Sequence, residues 1–178
     1  MTGFFHRQLT DYVEYHRDPR NCAAHVFGII FLFLAATLPL TMWDISVLGA
    51  HTTIAPLLVL PVLIYWLALD VPLGLAIVGA AALLLSVAAA IVYLVGVSGV
   101  WITTAVLIVV GLTAQIVGHR VFEQRKPSLL DHPVHLLLGP MFVMAKLFIA
   151  LGYRHDLAAI IGPAAAPAAA RAPHPGNC

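Results

Sequence analysis

A short segment from Gly118 to His135 concentrates ionisable residues directly after a stretch that has none. Between Val71 and Gly118 the sequence contains no Asp, Glu, Lys, Arg or His. The segment itself, GHRVFEQRKPSLLDHPVH, carries three histidines, two carboxylates and three basic residues. Around its start, Gln115, His119 and Glu123 recur every fourth position, so a helix would place them on one stripe. A His and a Glu on one stripe can reach the same cation.

Two interpretations of this stripe remain open. Gln115 lies within an apolar stretch, where an unpaired amide is costly, so it is expected to bond the imidazole of a metal ligand. Alternatively, Gln115 holds two helices together and His119 and Glu123 form an ordinary exposed pair on a helix surface.

A second group of polar residues lies near the N-terminus, in YVEYHRDPRNCAAHVFG. His16 precedes a break at Asp18-Pro19, and Asn21 and His25 follow it four positions apart, on one face of a helix. Taken singly, histidines at a membrane boundary are more often structural than metal-binding, and Asn21 suits a helix N-cap. Both functions stay possible for these residues.

The other histidines give weaker signals. His132 and His135 in DHPVHLLLGP are three positions apart, a possible additional ligand pair, although the intervening Pro133 makes a regular helix less favourable. Nothing in the sequence ties the remaining histidines to a site: His6, His51, His155 and His174.

Composition indicates that helices in a membrane must position these groups. Hydrophobic residues make up 61% of the 178 positions and charged residues only 10%, with a mean hydropathy of +0.96. Soluble domains carry about 25% charged residues, so an integral membrane protein is predicted. The net charge of +1 and the lack of a Lys/Arg stripe argue against nucleic-acid binding. With two distant cysteines a disulfide framework is not expected, and Cys22 is predicted to be a small buried residue.

The predicted fold class is an all-α, polytopic membrane helical bundle with four transmembrane helices. A bilayer-spanning helix needs about 20 apolar residues. Val26 to Trp43 provides the first span, Ile54 to Leu69 the second, and the block from Val71 to Gly118 is long enough for two more, joined by a hairpin at Gly96–Gly99. A loop containing Asp44 and His51 is expected between the first two spans.

Further elements are predicted at both ends of a single membrane-embedded domain, 1–160. Phe4 to His16 has the spacing of an amphipathic helix, which lies either at the membrane interface or against the protein's own loops. Pro133 to Tyr153 is expected to form a re-entrant or interfacial helix pair, or a fifth span. The Ala/Pro-rich segment 161–178 is predicted to be a disordered tail.

Orientation follows from the basic residues, which flank the first and fourth predicted spans. An even number of spans brings both clusters to one side, which the positive-inside rule makes cytoplasmic, in a bacterial inner membrane or an ER-type membrane. The two polar groups then meet on one face. There His16, His25, His119 and Glu123 are expected to form a non-haem iron or zinc centre.

Two motifs resemble a known membrane family. They are Tyr12-x3-His16-x2-Pro19-x-Asn21-x3-His25-x2-Gly28 and Gln115-x2-Gly118-His119-x2-Phe122-Glu123-x-Arg125-x-Pro127-x-Leu129. The chain resembles, from about Phe5 to Tyr153, the 2-hydroxy fatty acid dioxygenases of fatty acid α-oxidation. It departs from their pattern in several places: Ile29 and Ile30 stand where a proline is usual, Ser128 where Ala is frequent, and Lys146 where relatives often have Glu. His132 and His135 stand where some relatives carry amides, which argues against their being obligatory ligands.

The resemblance implies an Fe(II)-dependent, membrane-embedded enzyme that uses O₂ to cleave a 2-hydroxy fatty acid, giving an acid one carbon shorter. It implies that His16, His25 and His119 are the catalytic metal ligands and that Glu123 joins them. Asn21 and Gln115 would support these ligands. Membrane lipids and the 2-hydroxy fatty acid are the expected partners, with no expectation for the oligomeric state.

Two other functions remain open from the residues alone. The same cluster would suit a zinc-dependent membrane lipid hydrolase. A small membrane carrier or scaffold without enzymatic activity is the other alternative, and in that case His16, His25 and His119 would lie too far apart to share one ion.

Overall fold

A computed structural model describes residues 2–14, 16, 18–123 and 135–162 of the chain. The elements, in chain order, are α1 (Gly3–Glu14), α2 (Pro19–Thr41), β1 (Asp44–Val47), β2 (Ala50–Thr53), α3 (Ile54–Leu69), α4 (Val71–Val117), a π-helical segment (Gly118–Glu123), α5 (His135–Ala150) and α6 (His155–Ile161). The protein is therefore mostly helical, as predicted. The predicted disordered tail, 161–178, lies outside the described residues except for its first two positions.

Helix α2 begins seven residues before the predicted first span, at Pro19. The Asp18 carboxylate caps it by accepting a hydrogen bond of 2.7 Å from the backbone N–H of Arg20. Pro19 occupies the first helical position, where the N–H that proline lacks would have no helical partner. Asn21 is consequently not the N-cap but lies inside the first turn, fully buried. The early start places Asn21 and His25 on the same rigid helix.

A small β-hairpin replaces the loop expected after the first span. Strands β1 and β2 pair antiparallel, with Val47 opposite Ala50, and Leu48 and Gly49 form the turn. Both turn residues have positive φ, 51° and 86°, as a two-residue hairpin turn requires. The hairpin was not predicted, because Leu-Gly lacks the Asn-Gly or Asp-Gly signature of such turns. This hairpin is an addition to the all-α prediction.

Helix α3 spans the predicted residues Ile54–Leu69, and Asp70 joins it to α4. The Asp70 carboxylate accepts hydrogen bonds from the Leu73 N–H (3.2 Å) and from Arg154 (2.7 Å). Burial of Asp70 acts to raise its pKa, but these two bonds and the charge of Arg154 outweigh it and lower the pKa. Because Arg154 stands between α5 and α6, this pair ties the α3–α4 junction to the α5–α6 junction.

Helix α4 is broken at Gly96, within the hairpin predicted at Gly96–Gly99. Gly96 has φ 65° and ψ −177°, which is not helical. Its two arms, 71–95 and 97–117, run in opposite directions along α2. Ala88 from one arm and Val100 from the other both pack with Leu38, near the end of α2. The second arm then returns to the start of α2.

The described helices carry more apolar surface than they bury. Two of them are long and apolar enough to cross a membrane, α2 and the helix that extends from Val71 through Phe122. Only 11% of the most apolar window of the second helix is buried, so most of its side chains face outward. Such an apolar surface needs a partner other than water. The helices are long enough for that partner to be the hydrocarbon core of a bilayer. Helix α3 is apolar but shorter, with 16 residues.

Helices α5 and α6 are bent by 119° relative to each other, at the end of the predicted segment 133–153. Together they can form one broken span or a re-entrant pair, and the N-terminal helix packs against them. Phe5, Leu9 and Tyr12 of α1 are buried in one core with residues of α5 and α6. The amphipathic helix therefore turns its apolar face into the protein, as in the second of the two predicted positions, but it packs on helices α5 and α6 and not on loops.

Candidate metal centre

His16 lies in the short connection between α1 and α2 and is held by several contacts. Its Nδ1 donates to the Tyr12 carbonyl at 3.0 Å, and its ring stacks on the Tyr12 ring with centroids 4.1 Å apart and planes 8° from parallel. The thiol of the buried Cys22, as predicted a small buried residue, donates to the His16 carbonyl. These contacts fix the ring and leave Nε2 as the nitrogen available to a ligand.

The environment of His16 keeps its imidazole neutral. Burial lowers the pKa of His16 from its ordinary 6.5 to about 4, although the hydrogen bond to the Tyr12 carbonyl opposes the change. At neutral pH the ring therefore carries no extra proton. A metal ion binds the neutral form, so binding at His16 need not displace a proton.

His25 lies one turn beyond Asn21 in α2 and contacts α1. Its Nε2 lies 2.8 Å from the hydroxyl oxygen of Tyr12. Burial raises the pKa of Tyr12 well above its ordinary value, so the hydroxyl is protonated. When His25 Nε2 carries the ring proton and donates to this hydroxyl, its Nδ1 offers a lone pair. Tyr12 thus contacts two of the three predicted ligands.

His119 lies at the start of the π-helical segment, where the chain leaves α4. The α-helix expected at His119 and Glu123 is replaced by a π-helical turn, which has a wider repeat, and the expectation that both residues reach one ion stays a prediction. Gly118 makes the close approach to α2 possible: a Cβ there would collide with the Asn21 side-chain oxygen and lie 3.4 Å from Ala24 Cβ. The glycine before His119 brings the imidazole against the first turns of α2.

The three histidines converge, although they come from distant parts of the chain. One ligand nitrogen from each of His16, His25 and His119 lies within 4.8 Å of those of the other two. The ring centroids are 4.5 Å apart for His16 and His25, 5.0 Å for His16 and His119, and 5.6 Å for His25 and His119. His16 and His119 are each only 2% exposed. The arrangement that a carrier or scaffold was expected to show, with distant histidines, is not found.

The donor set fits a transition-metal ion. His16 Nε2 and His25 Nδ1 are both buried without a hydrogen-bond partner among the described residues, and a buried nitrogen of this kind is costly unless something binds it. Two nitrogens bound to one ion at about 2.1 Å lie no more than about 4.2 Å apart, so the rings need only a small inward shift. Imidazole suits iron, zinc and copper alike.

Asn21 and Gln115 lie beside the histidines rather than among them. Gln115 Nε2 donates to the backbone carbonyl of His25 at 3.2 Å, so it supports that ligand through the main chain and not through an imidazole as predicted. Asn21 is fully buried where α2 meets Gly118. Both amides therefore lie where the second arm of α4 packs on α2.

The remaining candidates differ in position. His135 is buried beside Tyr12, with ring centroids 5.4 Å apart, but it does not belong to the group of three. Glu123 ends the π-helical segment, and its side chain lies outside the part of the chain that the structure describes. His132 also lies outside the described residues.

Sequence reasoning missed two aromatic residues of the site. Tyr12 opens the first motif but was given no part in the site, yet it contacts both His16 and His25. Its position four residues before His16 was the available signal, because that spacing stacks two rings on one helix face. The ring centroid of Phe142 in α5 lies 5.1 Å from that of Tyr12 and 5.8 Å from that of His16. No motif around Phe142 predicted this position.

Comparisons with known proteins identify the family of the chain. The sequence profile of the family described as "2-hydroxy-palmitic acid dioxygenase Mpo1-like" matches residues 3–151. The chain is 33% identical over 156 residues to the 2-hydroxy-palmitic acid dioxygenase MPO1 of Saccharomyces cerevisiae, covering 86% of this chain and 85% of that protein. No solved structure matches it. The motifs around His16, His25 and His119 lie within the matched region, and the chain belongs to the Mpo1-like family.

Proposed function

We propose that this protein is an Fe²⁺-dependent membrane dioxygenase that shortens 2-hydroxy fatty acids by one carbon. The observation that carries the proposal is the convergence of three histidines, the buried His16 and His119 and the partly buried His25, whose ligand nitrogens lie within 4.8 Å of one another. The family and the yeast relative, named for a dioxygenase of 2-hydroxy-palmitic acid, supply the reaction class.

Iron suits this reaction better than zinc. Zinc has no accessible redox change, whereas a reaction with O₂ requires electrons to move. Three imidazoles leave open positions on the ion, and Glu123 is the proposed fourth protein ligand. Bound there, Fe²⁺ would supply electron exchange with O₂ and open positions for the hydroxyl and carboxylate oxygens of the substrate. The zinc hydrolase interpretation has no support from the relatives.

The proposed reaction balances without a further reductant. A 2-hydroxy acid and O₂ give the shortened acid, CO₂ and water, because the four electrons that reduce O₂ all come from the two carbons next to the tail. The protein's own residues have to keep the site dry and the imidazoles neutral. Burial of His16 and His119 keeps water away from the site, and the lowered pKa of His16 helps to keep its imidazole neutral.

We place this site at the cytoplasmic face of a four-span bundle. The spans are α2, α3 and the two arms of α4, so α2 starts and α4 ends on the same side. Arg7 and Arg20 near the start and Arg120 near the end give that side its positive charge. The head group of a fatty acid can then reach the histidines while its tail stays in hydrocarbon.

The test uses the whole protein, purified in detergent, stripped of metal and reloaded without oxygen. With Fe²⁺, a saturated 2-hydroxy fatty acid and O₂, mass spectrometry is expected to detect the acid one carbon shorter, whereas Zn²⁺ loading gives none. His119→Ala is expected to lose both iron and turnover. His51→Ala, at an exposed histidine of β2, is the matched control and retains both. Turnover in His119→Ala equal to that of the parent would refute the proposal, as would an iron-loaded parent that forms no shortened acid.

A further inference from the structure

An apolar cavity of about 340 Å³ lies between α2, α3, the first arm of α4 and α5. Its volume falls in the usual range for small-molecule sites, about 300–1,000 Å³. Two polar side chains are among the residues that line it, and both have backbone partners. The Thr37 hydroxyl donates to the Phe33 and Leu34 carbonyls, and Trp66 Nε1 donates to the Leu137 carbonyl at 2.6 Å. The wall therefore offers apolar contacts, and both of its polar side chains already donate their hydrogen bonds to the backbone.

One end of this cavity adjoins the histidine site. Val26, directly after His25, and Ile29, one turn further, both line it. Gly139 of α5 marks the junction: a Cβ there would lie 2.5 Å from Ile29 Cδ1 and 3.5 Å from the Tyr12 hydroxyl oxygen. An occupant of the cavity would thus have one end within a helical turn of His25 and Tyr12.

The cavity extends from the site toward the opposite end of the bundle. Its lining on α2 runs from Val26 to Leu40, about 21 Å at about 1.5 Å per residue. A saturated chain with bonds of about 1.5 Å advances about 1.3 Å per carbon along its zigzag, so this wall matches a tail of about 16 carbons. Lining residues far from the site on the neighbouring helices are Leu58 of α3 and Leu85 of α4.

We infer that this cavity holds the alkyl tail of the 2-hydroxy acid and that Leu40, Leu58 and Leu85 limit its length. The inference rests on the proposed function for the identity of the occupant. Two features support an alkyl tail over a polar ligand: the Thr37 hydroxyl and the Trp66 N–H of the wall already donate to backbone carbonyls, and the lining begins at Val26, the residue after His25. The cavity then acts as a ruler that selects substrates by chain length.

Activity profiles test the ruler with matched variants. Leu85→Ala extends the far end of the cavity and is expected to raise kcat/KM for acids longer than the parent's preferred one by about 10-fold relative to that acid. Ala81→Leu fills the cavity and shifts the preference toward shorter acids. The controls are Leu83→Ala and Ala82→Leu, neighbouring residues that are exposed on the outer surface, Leu83 by 68%, and keep the parent profile. Variants of Leu85 and Ala81 with the parent profile would overturn the inference even when the protein is fully active.

A binding measurement keeps the inference independent of turnover. In a Trp43→Phe/Trp101→Phe background, fluorescence reports on Trp66, which lines the cavity and is 3% exposed. A saturated fatty acid brominated in mid-chain, which lacks the 2-hydroxyl, is expected to quench Trp66 saturably, and Ala81→Leu is expected to abolish the quenching. If Trp66 is quenched but the protein shows no turnover, the cavity still binds the tail and only the proposed oxidative function is refuted. Equal quenching by a brominated phospholipid would mean a general lipid crevice and would reject the ruler.

Discussion

Tyr12→Phe isolates the contribution of one hydroxyl group to the candidate metal centre. The substitution removes the oxygen that lies 2.8 Å from His25 Nε2 and retains the ring that stacks on His16. We expect the folded protein to bind Fe²⁺ more weakly, because His25 loses the contact that fixes its orientation and its protonated nitrogen.

The expected size of this effect follows from two independent magnitudes. Leaving a buried donor or acceptor without its partner costs about 1–3 kcal/mol. Removal of a group that orients a metal-binding histidine weakens metal binding by about 10–100-fold, which corresponds to about 1.4–2.8 kcal/mol. Because Tyr12 is 1% exposed, water is not expected to replace its hydroxyl, and the upper part of this range is the more appropriate.

The assay is an anaerobic competition for Fe²⁺ between the detergent-solubilised protein and a coloured chelator. Tyr93→Phe, the same change at a tyrosine that is 88% exposed, serves as the control and should bind as the parent does. At limiting iron, turnover of Tyr12→Phe should fall by the same factor as the affinity and recover when iron is raised. A purely structural role would lower the thermal stability of the metal-free protein but leave the affinity of the folded fraction unchanged. An affinity equal to that of Tyr93→Phe would refute the reasoning.

Two further pairs of variants test the packing that positions the site, by unfolding in detergent. Arg154→Ala removes the ion-pair partner of the buried Asp70 carboxylate and is expected to cost about 3–5 kcal/mol. Arg20→Ala, at an exposed ion pair, is expected to cost less than about 1 kcal/mol, and equal losses in the two variants would contradict the reasoning. Since the pKa of Asp70 is lowered, its contribution is present above its unfolded value of about 3.9 and is lost as the pH falls through the folded value. Gly28→Ala places a Cβ 2.6 Å from the Gln115 amide and should cost about 1–3 kcal/mol. At Gly79 an added Cβ would meet nothing within 4 Å, so Gly79→Ala should stabilise the protein by up to about 1 kcal/mol. If Gly79→Ala destabilised the protein as Gly28→Ala does, contact between helices could not explain the loss at Gly28.

Much of the helical fold could be predicted from hydropathy, because long uncharged stretches bounded by Asp, Pro and Gly leave few alternatives. Helix α3 and the break at Gly96 follow directly from such boundaries. The first apolar span was predicted from Val26, whereas α2 already begins at Pro19, because hydropathy marks only the apolar part of the helix and its first turn carries Arg20 and Asn21. The β-hairpin was missed because Leu48 adopts a positive φ that the residue type does not favour.

The site was predictable to the extent that polar residues are costly in an apolar chain. His16, His25 and His119 stood out for that reason, and the direction of the spans indicated that they would meet. The local geometry did not follow from spacing: the π-helical turn at Gly118 depends on the approach of Asn21 from another helix. The position of Phe142 likewise depends on how α5 packs, which no pattern within α5 records.

The break at Gly96 has a consequence for how the chain enters a bilayer. As one straight rod, the 47 residues of α4 would be about 70 Å long, more than twice the hydrocarbon thickness of about 30 Å, and no ionic group marks where it should turn. The dihedral angles of Gly96 lie in a region essentially reserved for glycine. A side chain at position 96 would therefore favour the straight helix and move His119 away from His16 and His25. A single substitution far from the histidines would then disturb both the path of the chain through the bilayer and the proposed metal binding.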